Sequence, residues 1–375
     1  MGMKKVLLFT GKFPSITEDR DGGSMLVNSI INALSGKCEL DIIFTRTPRE
    51  EIKNIPGINE ISFETYKYHL EDKFKRRLAN KKQLLRRLKK EIEKYDVVII
   101  THCSKAFGVE KLKKNERNKI ILFPMYLSTS YARSSEEPPK EYIVAERKAL
   151  HAVKKIITPS NSEKNDMVSE FGVDESKIVV IPRGYSSLIK QEAKTISSPL
   201  QLLYIASIKE QKNTLESIVL LKELKALGVE VVLNLVGGYQ DAKLLTECKR
   251  YISENNLQDD VIFHGVLSQY ELAGVISKCY INISVSNWET YGRGIFEGMA
   301  GGLPTIVYEH IDCVKEYVIR GSGIVFVKEH KDFLHEIFNL YNNCKYYEEQ
   351  SKKAIDNVFS LSEKEEIKKL LRELI

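Results

Sequence analysis

Twelve short runs of apolar, largely β-branched residues recur along the chain. They lie at 6–10, 40–44, 97–101, 120–123, 156–158 and 178–181, then at 202–205, 231–236, 261–264, 280–285, 305–307 and 324–327. Most are continuous rather than alternating. A strand apolar on both faces must be covered on both faces, which is the condition of a parallel sheet between helical layers. Helical patterns separate the runs, so the connections read as βαβ units and the sheets as doubly wound. The chain has 375 residues, too many for one ordinary core. The runs fall into two series, so the expected fold is α/β with two Rossmann-like domains. Residues 190–199 are polar, lack a core pattern and end in Pro199. A break there gives domains 1–190 and 191–360, followed by a charged amphipathic helix over 361–375.

Hydrophobic residues make up 43% of the chain and aromatics 9%, which supports sizeable cores and excludes a disordered or fibrous protein. No run approaches the ~18 apolar residues of a membrane span. The apolar run after Lys4 and Lys5 stops at Gly11 and Lys12, too soon for a signal-peptide core. The expected location is cytoplasmic, extending at most to the inner face of a membrane. Cys38, Cys103, Cys248, Cys279, Cys313 and Cys344 stand far apart with no zinc-site spacing, and read as reduced core residues. No metal site and no cofactor is expected.

Residues 286–307 carry the densest signal. They follow an apolar run, and Gly292 and Gly294 stand at the turn into a predicted helix. A glycine-lined helix N-terminus offers unpaired N–H groups and a positive dipole end, which suits a phosphate. Glu289 precedes that helix and Glu297 lies within it. Such carboxylates accept from sugar and ribose hydroxyls, or are ordinary solvated residues near a helix start. Lys212 stands just before Asn213-x-x-Glu216, a loose capping box. Ser160-x-x-Glu163 and Ser268-x-x-Glu271 fit the same pattern.

The frame Glu289-x-Tyr291-Gly292…Glu297-Gly298-Met299-Ala300-x-Gly302-Leu303-Pro304 resembles the signature of GT-B type retaining glycosyltransferases of family 4 (glycosyl transferases group 1). The turn at 235–238, the strand end at 261–265 and the approach at 160–182 are similar to that family too. The resemblance covers nearly all of residues 150–330 and is thinner before them. It implies two domains facing a cleft, with the final helix returning to the first. It implies that Glu289 contacts the donor sugar and Glu297 the ribose. Backbone around Tyr291, Gly292, Arg293 and Gly294 would hold the diphosphate, and Lys212 would pair with it. Ser207 stands where the family has an arginine. Serine supplies no fixed charge to two phosphates, so Lys209 or Arg293 is expected to compensate.

In the first domain, Gly22 and Gly23 precede a helical pattern. They resemble the family's Gly-Gly loop facing the donor phosphate and acceptor. His102, at a strand end, is the candidate for the histidine facing the reaction centre. Tyr126, Ser128 and Ser130 are alternative lining residues, and His264 is assigned near the donor-base loop. Asp19-Arg20-Asp21 sits too far past the first strand for a metal pair and reads as a solvated turn. Residues 73–94 form a basic amphipathic pattern with Phe74, Leu78, Leu85, Leu88 and Ile92 at helical spacing. They read as a solvated basic face or as a contact with anionic lipid. No nucleic-acid motif accompanies them.

The expected function is metal-independent, retaining transfer of a hexose-type sugar. It would pass from a nucleotide sugar, a UDP-sugar by base rate, to a glycan or lipid-linked acceptor. The alternatives are a degenerate GT-B subunit supporting an active partner and a GT-B type sugar-nucleotide epimerase.

Overall fold

Adjacent residues of the first strand enter different cores. In β1 (Lys5–Thr10), Leu7 and Phe9 join one buried cluster while Val6 and Leu8 join another. The unbroken apolar run is thus covered on both faces, as its pattern requires. The computed structural model describes residues 2–14, 21–49, 52 and 54–375. Its contacts divide the chain into two units, Met1–Pro182 with Glu366–Ile375, and Arg183–Glu365.

The first unit holds a seven-stranded parallel sheet. Its strands are β1, β2 (Glu39–Phe44), β3 (Glu60–Phe63), β4 (Val97–Thr101), β5 (Ile120–Phe123), β6 (Lys155–Thr158) and β7 (Ile178–Val180). The order is β3-β2-β1-β4-β5-β6-β7, so the direction of growth reverses between β1 and β4. Six of these strands coincide with apolar runs. The exception, β3, is an edge strand with no buried residue. Its Glu60 is exposed and its Ser62 only partly buried, so polar residues interrupt the apolar signal.

The unit's helices are α1 (Gly22–Leu34), α2 (Lys73–Glu91), α3 (Lys114–Arg117), α4 (Ser128–Ala132), α5 (Lys140–Ala152) and α6 (Asn161–Phe171). On α2, Phe74, Leu84 and Leu88 are buried, and Leu78 and Leu85 pack against the same cluster. The apolar side of this helix is therefore consumed by the core. Lys75, Lys82, Arg86, Lys89 and Lys90 stay exposed.

The second unit holds a six-stranded parallel sheet of β8 (Leu200–Ile205), β9 (Val231–Val236), β10 (Val261–Gly265), β11 (Ile281–Ser284), β12 (Thr305–Tyr308) and β13 (Ile324–Val327). The order β10-β9-β8-β11-β12-β13 reverses between β8 and β11. Around it lie α7 (Thr214–Ala226), α8 (Ala242–Glu254), α9 (Gln269–Lys278), α10 (Arg293–Ala300), α11 (Asp312–Lys315), α12 (His330–Asn342) and α13 (Cys344–Val358).

The last helix, α14 (Glu363–Leu374), sends Leu370 and Leu374 into the first unit's core beside Ile30 and Leu34. Glu366 accepts from Ser29 Oγ at 3.1 Å, and Lys155 Nζ meets Glu373 at 2.8 Å. All six cysteines are free, and all but Cys344 are buried. Among the described residues no helix is long and apolar enough to cross a membrane.

Of the three capping-box patterns, one folds as a reciprocal box and a second supplies its N-cap bond. Glu163 N donates to Ser160 Oγ, and Ser268 and Glu271 cap each other reciprocally. Asn213 does neither. Its backbone is left-handed at φ 49°, and its amide goes to the Glu216 carboxylate instead of a helix N–H.

Candidate functional site

In a doubly wound sheet, ligands settle outside the carboxyl ends of the strands where the order reverses. In the second unit the loops after β8 and β11 flank that point. The first makes a tight turn over Glu210–Lys212, with Lys212 N donating to Lys209 O at 2.9 Å. The two loops are laced together: Asn287 N donates to Gln211 O at 2.9 Å, and Gln211 Nε2 to Trp288 O at 2.8 Å.

This lacing brings Lys212 and Glu289 into a direct ion pair. Their side chains are only 14% and 10% exposed. Ser286 Oγ donates to the same Glu289 oxygen at 2.8 Å. Tyr204 OH lies 3.0 Å from Ser286 Oγ and donates to the Lys212 carbonyl. The result is a closed ring of Lys212, Glu289, Ser286 and Tyr204. Tyr204 is buried, which pushes its phenol pKa up and keeps it a neutral donor. A fixed ammonium beside a fixed carboxylate, largely withdrawn from water, can hold an anion and accept a hydroxyl side by side.

The next helix begins where that loop ends. Gly292 takes a left-handed φ of 82° at the N-cap of α10, a conformation that costs other residues. Gly294 lies so close to β8 that a Cβ there would stand 2.6 Å from the Ile205 carbonyl oxygen. The N-terminus of α10 therefore rests against the end of β8, beside the Lys212 loop. Within α10, Arg293 Nε donates to Glu297 Oε1 at 3.0 Å. Glu297 is buried, which raises its pKa, and the Arg293 guanidinium works against that rise.

The ring of Tyr291 is committed to the core. It packs against Phe296 and Tyr317, and its hydroxyl donates to Arg183 O at 2.7 Å. What Tyr291 offers a ligand is backbone. Lys209 and Ser207 are partly exposed in the loop after β8. His264, at the end of β10, bonds Asn234 Oδ1 at 2.9 Å.

The remaining sequence candidates belong to the first unit. Asp21 caps α1, accepting from Gly23 N and Ser24 N at 2.9 Å each, and pairs with Lys12. The Gly23 N–H is thus taken up within the chain. Asp19 and Arg20 lie outside the described residues. His102 follows β4 with a φ of 76°. Its Nδ1 accepts from Ser104 N at 3.2 Å, which leaves the proton on Nε2. That Nε2 is buried without a partner among the described residues. Burial, and then the nearby Arg77, Lys105, Lys12 and Lys73, hold the imidazole pKa well below its usual value, so the ring is neutral. Of the alternative lining residues, Ser128 donates through both N–H and Oγ to the buried Glu146, and Tyr126 OH lies 3.1 Å from Ser134 Oγ.

The structure thus brings Lys212 and Glu289 together, and Arg293 and Glu297 together on the adjoining helix. Sequence reasoning missed Tyr204 and Ser286. Tyr204 sits in an apolar run and reads as core, while Ser286 carried a signal in its place directly after the run at 280–285.

Two Rossmann-like units in series, each built on a parallel sheet whose strand order reverses once, are the fold of the GT-B class. The family model described as Glycosyltransferase Family 4 matches residues 20–186, and that described as Glycosyl transferases group 1 matches residues 187–357. The chain belongs to the GT-B glycosyltransferases of this group 1, family 4 type.

Among curated proteins it is 30% identical over 182 residues to the alpha-monoglucosyldiacylglycerol synthase of Streptococcus pneumoniae. That match covers 45% of this chain and 40% of the relative's length. Among solved structures it is similar to sucrose-phosphate synthase from Thermosynechococcus elongatus, with a TM-score of 0.78, 19% identity and 99% of each chain covered. It is also similar to HepE from Anabaena in complex with UDP and glucose, with a TM-score of 0.74, 14% identity and 99% of each chain covered. These likenesses are of fold.

Proposed function

We propose that the chain moves a hexose from a UDP-sugar to a glycan or lipid-linked acceptor, with retention at the anomeric carbon and without a metal ion. The observation that carries this reading is the Lys212–Glu289 pair, fixed by Ser286 at the reversal point between β8 and β11. Lys212 and the N–H groups at the start of α10 neutralise the diphosphate as it departs. Glu289 accepts from a hydroxyl of the donor sugar and Glu297 from the ribose. The C1–O bond to phosphate breaks, and the acceptor oxygen bonds C1 on the same face. Its proton passes to the departing phosphate oxygen. The protein contributes position and electrostatics rather than a covalent partner.

UDP as the nucleotide is supported by the complex named for HepE, and glucose by that complex and by the name of the pneumococcal relative. That name also supports a lipid acceptor. The exposed lysines and arginines of α2 suit contact with anionic lipid, and because its apolar side is buried the contact is electrostatic and salt-sensitive.

The deciding experiment incubates the full chain with UDP-glucose and, in separate runs, diacylglycerol-containing vesicles, lysophosphatidate-containing vesicles and glucose 6-phosphate as acceptors, each with and without a chelator. The anomeric configuration of the product is read by NMR. An α-linked product formed equally with chelator is expected. A β-linked product, or loss of turnover on chelation, rejects the mechanism. Donor binding without any turnover supports the degenerate-subunit reading, which Ser207 favours by removing a charge from the phosphate site.

A further inference from the structure

The first unit carries a cavity of about 660 Å³ at its own reversal point, where the loops after β1 and β4 meet. Among the described residues five cationic side chains line it, Lys12, Arg46, Arg76, Arg77 and Lys105, with one carboxylate, that of the exposed Glu71; Lys12 is paired with Asp21. Buried charges are ordinarily paired with opposite charge. Here Lys105, which is buried, and Arg76 and Arg77, which are partly exposed, contact only neutral groups. Lys105 is 9% exposed and its ammonium reaches only the Tyr66 hydroxyl, 4.2 Å above that ring. Arg77 Nη1 donates to Tyr131 OH at 2.7 Å and to Tyr142 OH at 3.1 Å. Arg76 Nη1 donates to the Leu70 and Glu71 carbonyls.

The fold makes room for this arrangement. A Cβ at Gly11 would stand 2.8 Å from Lys105 Cε, so glycine at the end of β1 lets the lysine lie across it. His102 adds a neutral Nε2–H that is buried without a partner among the described residues. Burial, followed by repulsion from Arg77, Arg46 and Arg76, depresses the Lys105 pKa well below its usual value. Lys105, Arg76 and Arg77 thus bring three positive charges together with no carboxylate bonded to them, and one multivalent anion would offset them. A phosphate ester matches: it carries up to two charges and three acceptor oxygens, and suits an ammonium together with guanidinium donors. The volume suits a small polar molecule.

We propose that the acceptor of this enzyme carries a phosphate ester, held in this cavity by Lys105, Arg76 and Arg77 with His102 donating from Nε2. The proposal rests on the transferase reading above, in which the second unit takes the donor.

The test follows thermal unfolding of the full chain and of Lys105→Met with separate probes. The probes are UDP, glucose 6-phosphate, and phosphatidylcholine vesicles with and without phosphatidic acid. Glucose and glucuronate serve as controls. Either phosphate probe is expected to stabilise the native chain and to bind at least tenfold more weakly to Lys105→Met. Ligand-free Lys105→Met should melt higher than the native chain, since a buried unpaired ammonium is gone. UDP should shift both chains equally. A response to glucose 6-phosphate marks a soluble acceptor, and a response to phosphatidic acid alone marks a lipid one. The proposal is overturned if UDP shifts both chains while neither phosphate probe shifts either. It is overturned as well if the phosphate shift survives intact in Lys105→Met, or if glucuronate protects as well as glucose 6-phosphate. A phosphate effect with no UDP effect defeats the donor reading instead, and with it the acceptor role of the cavity. Arg76→Gln, at a partly exposed position, carries the same test should Lys105→Met fail to fold.

Discussion

The Lys212 ammonium and the Glu289 carboxylate, 77 residues apart in sequence, meet as an ion pair at the reversal point of the second sheet. Neither charge has much water to fall back on. Removing one partner leaves the other poorly solvated, which costs about 3 kcal/mol in a buried pair. Lys212→Met and Glu289→Gln should each lower the melting temperature, and the double variant should lose clearly less than the sum. All three should lose at least about a hundredfold in turnover, the scale for removing one preorganised charge-stabilising group. Additive stability losses would show that the pair is not energetically coupled.

Gly294 gives a steric prediction at the same site. Alanine there would press a methyl group against the Ile205 carbonyl, 2.6 Å from an ideal Cβ. Neither β8 nor the first turn of α10 can yield without moving the Lys212 loop or the helix N-terminus. Gly294→Ala should therefore weaken UDP binding at least tenfold, measured by calorimetry. Gly274→Ala, whose added methyl meets nothing within 4 Å, should leave it unchanged. Equal affinities in the two variants would separate the α10 N-terminus from donor binding.

Glu146 ties pH to stability in the first unit. It is fully buried, and burial raises its carboxyl from the usual 4.5 to about 7, although Ser128 donates to it twice and Arg77 is near. The native state therefore holds a proton that the unfolded chain has released. This contribution is full below about pH 4.5 and is lost as the pH rises through about 7. Glu146→Gln keeps an acceptor for Ser128 and removes the charge. It should raise stability at pH 8 by up to about 3 kcal/mol and flatten the pH dependence between 5 and 8. A variant with an unchanged pH profile would mean that Glu146 is not the group responsible.

The return of α14 to the first unit is testable by truncating one side chain. Leu370 is fully buried among residues of α1 and β1. Leu370→Ala should cost about 2–5 kcal/mol and leave UDP affinity unchanged, since the donor residues proposed above lie in the other unit. A fall in UDP affinity with an unchanged melting temperature would reverse that assignment.

Strands whose apolar residues run together announce themselves, which is why twelve of the thirteen were legible as apolar runs. The edge strand β3 was not, because none of its residues is buried and Glu60 and Ser62 interrupt its apolar pattern. Lys212 and Glu289 were legible as candidates through their motif frame, but their ion pair and the hydroxyls that fix it were not. Tyr204 lies in an apolar run, and its polar role comes from Ser286, 82 residues away. Asn213 deceived in the other direction: the residue type suits a cap, but its left-handed backbone turns the amide toward Glu216. The cationic cavity was least legible. Lys105 reads as a surface lysine until Gly11 and Tyr66 close over it, and Arg77 reads as part of a solvated face until Tyr131 and Tyr142 hold it inward.

His330 offers a pH effect set by neighbours rather than burial. It opens α12 and bridges α7: Nδ1 lies 3.1 Å from Glu216 and Nε2 lies 2.6 Å from Glu223. Burial pulls its pKa down, but hydrogen bonds to Glu223 and Glu216 outweigh that and raise it above 6.5. Because the folded value exceeds the unfolded one, the imidazolium's stabilisation is complete below about pH 6.5. It is lost as the pH climbs through the raised folded value. His330→Gln should therefore destabilise the chain most at pH 6 and progressively less toward pH 9, by thermal unfolding across that range. High salt should shrink the difference, since the ring is partly exposed. A penalty constant from pH 6 to 9 would mean that the ring packs as a neutral spacer and that the two glutamates do not hold its proton.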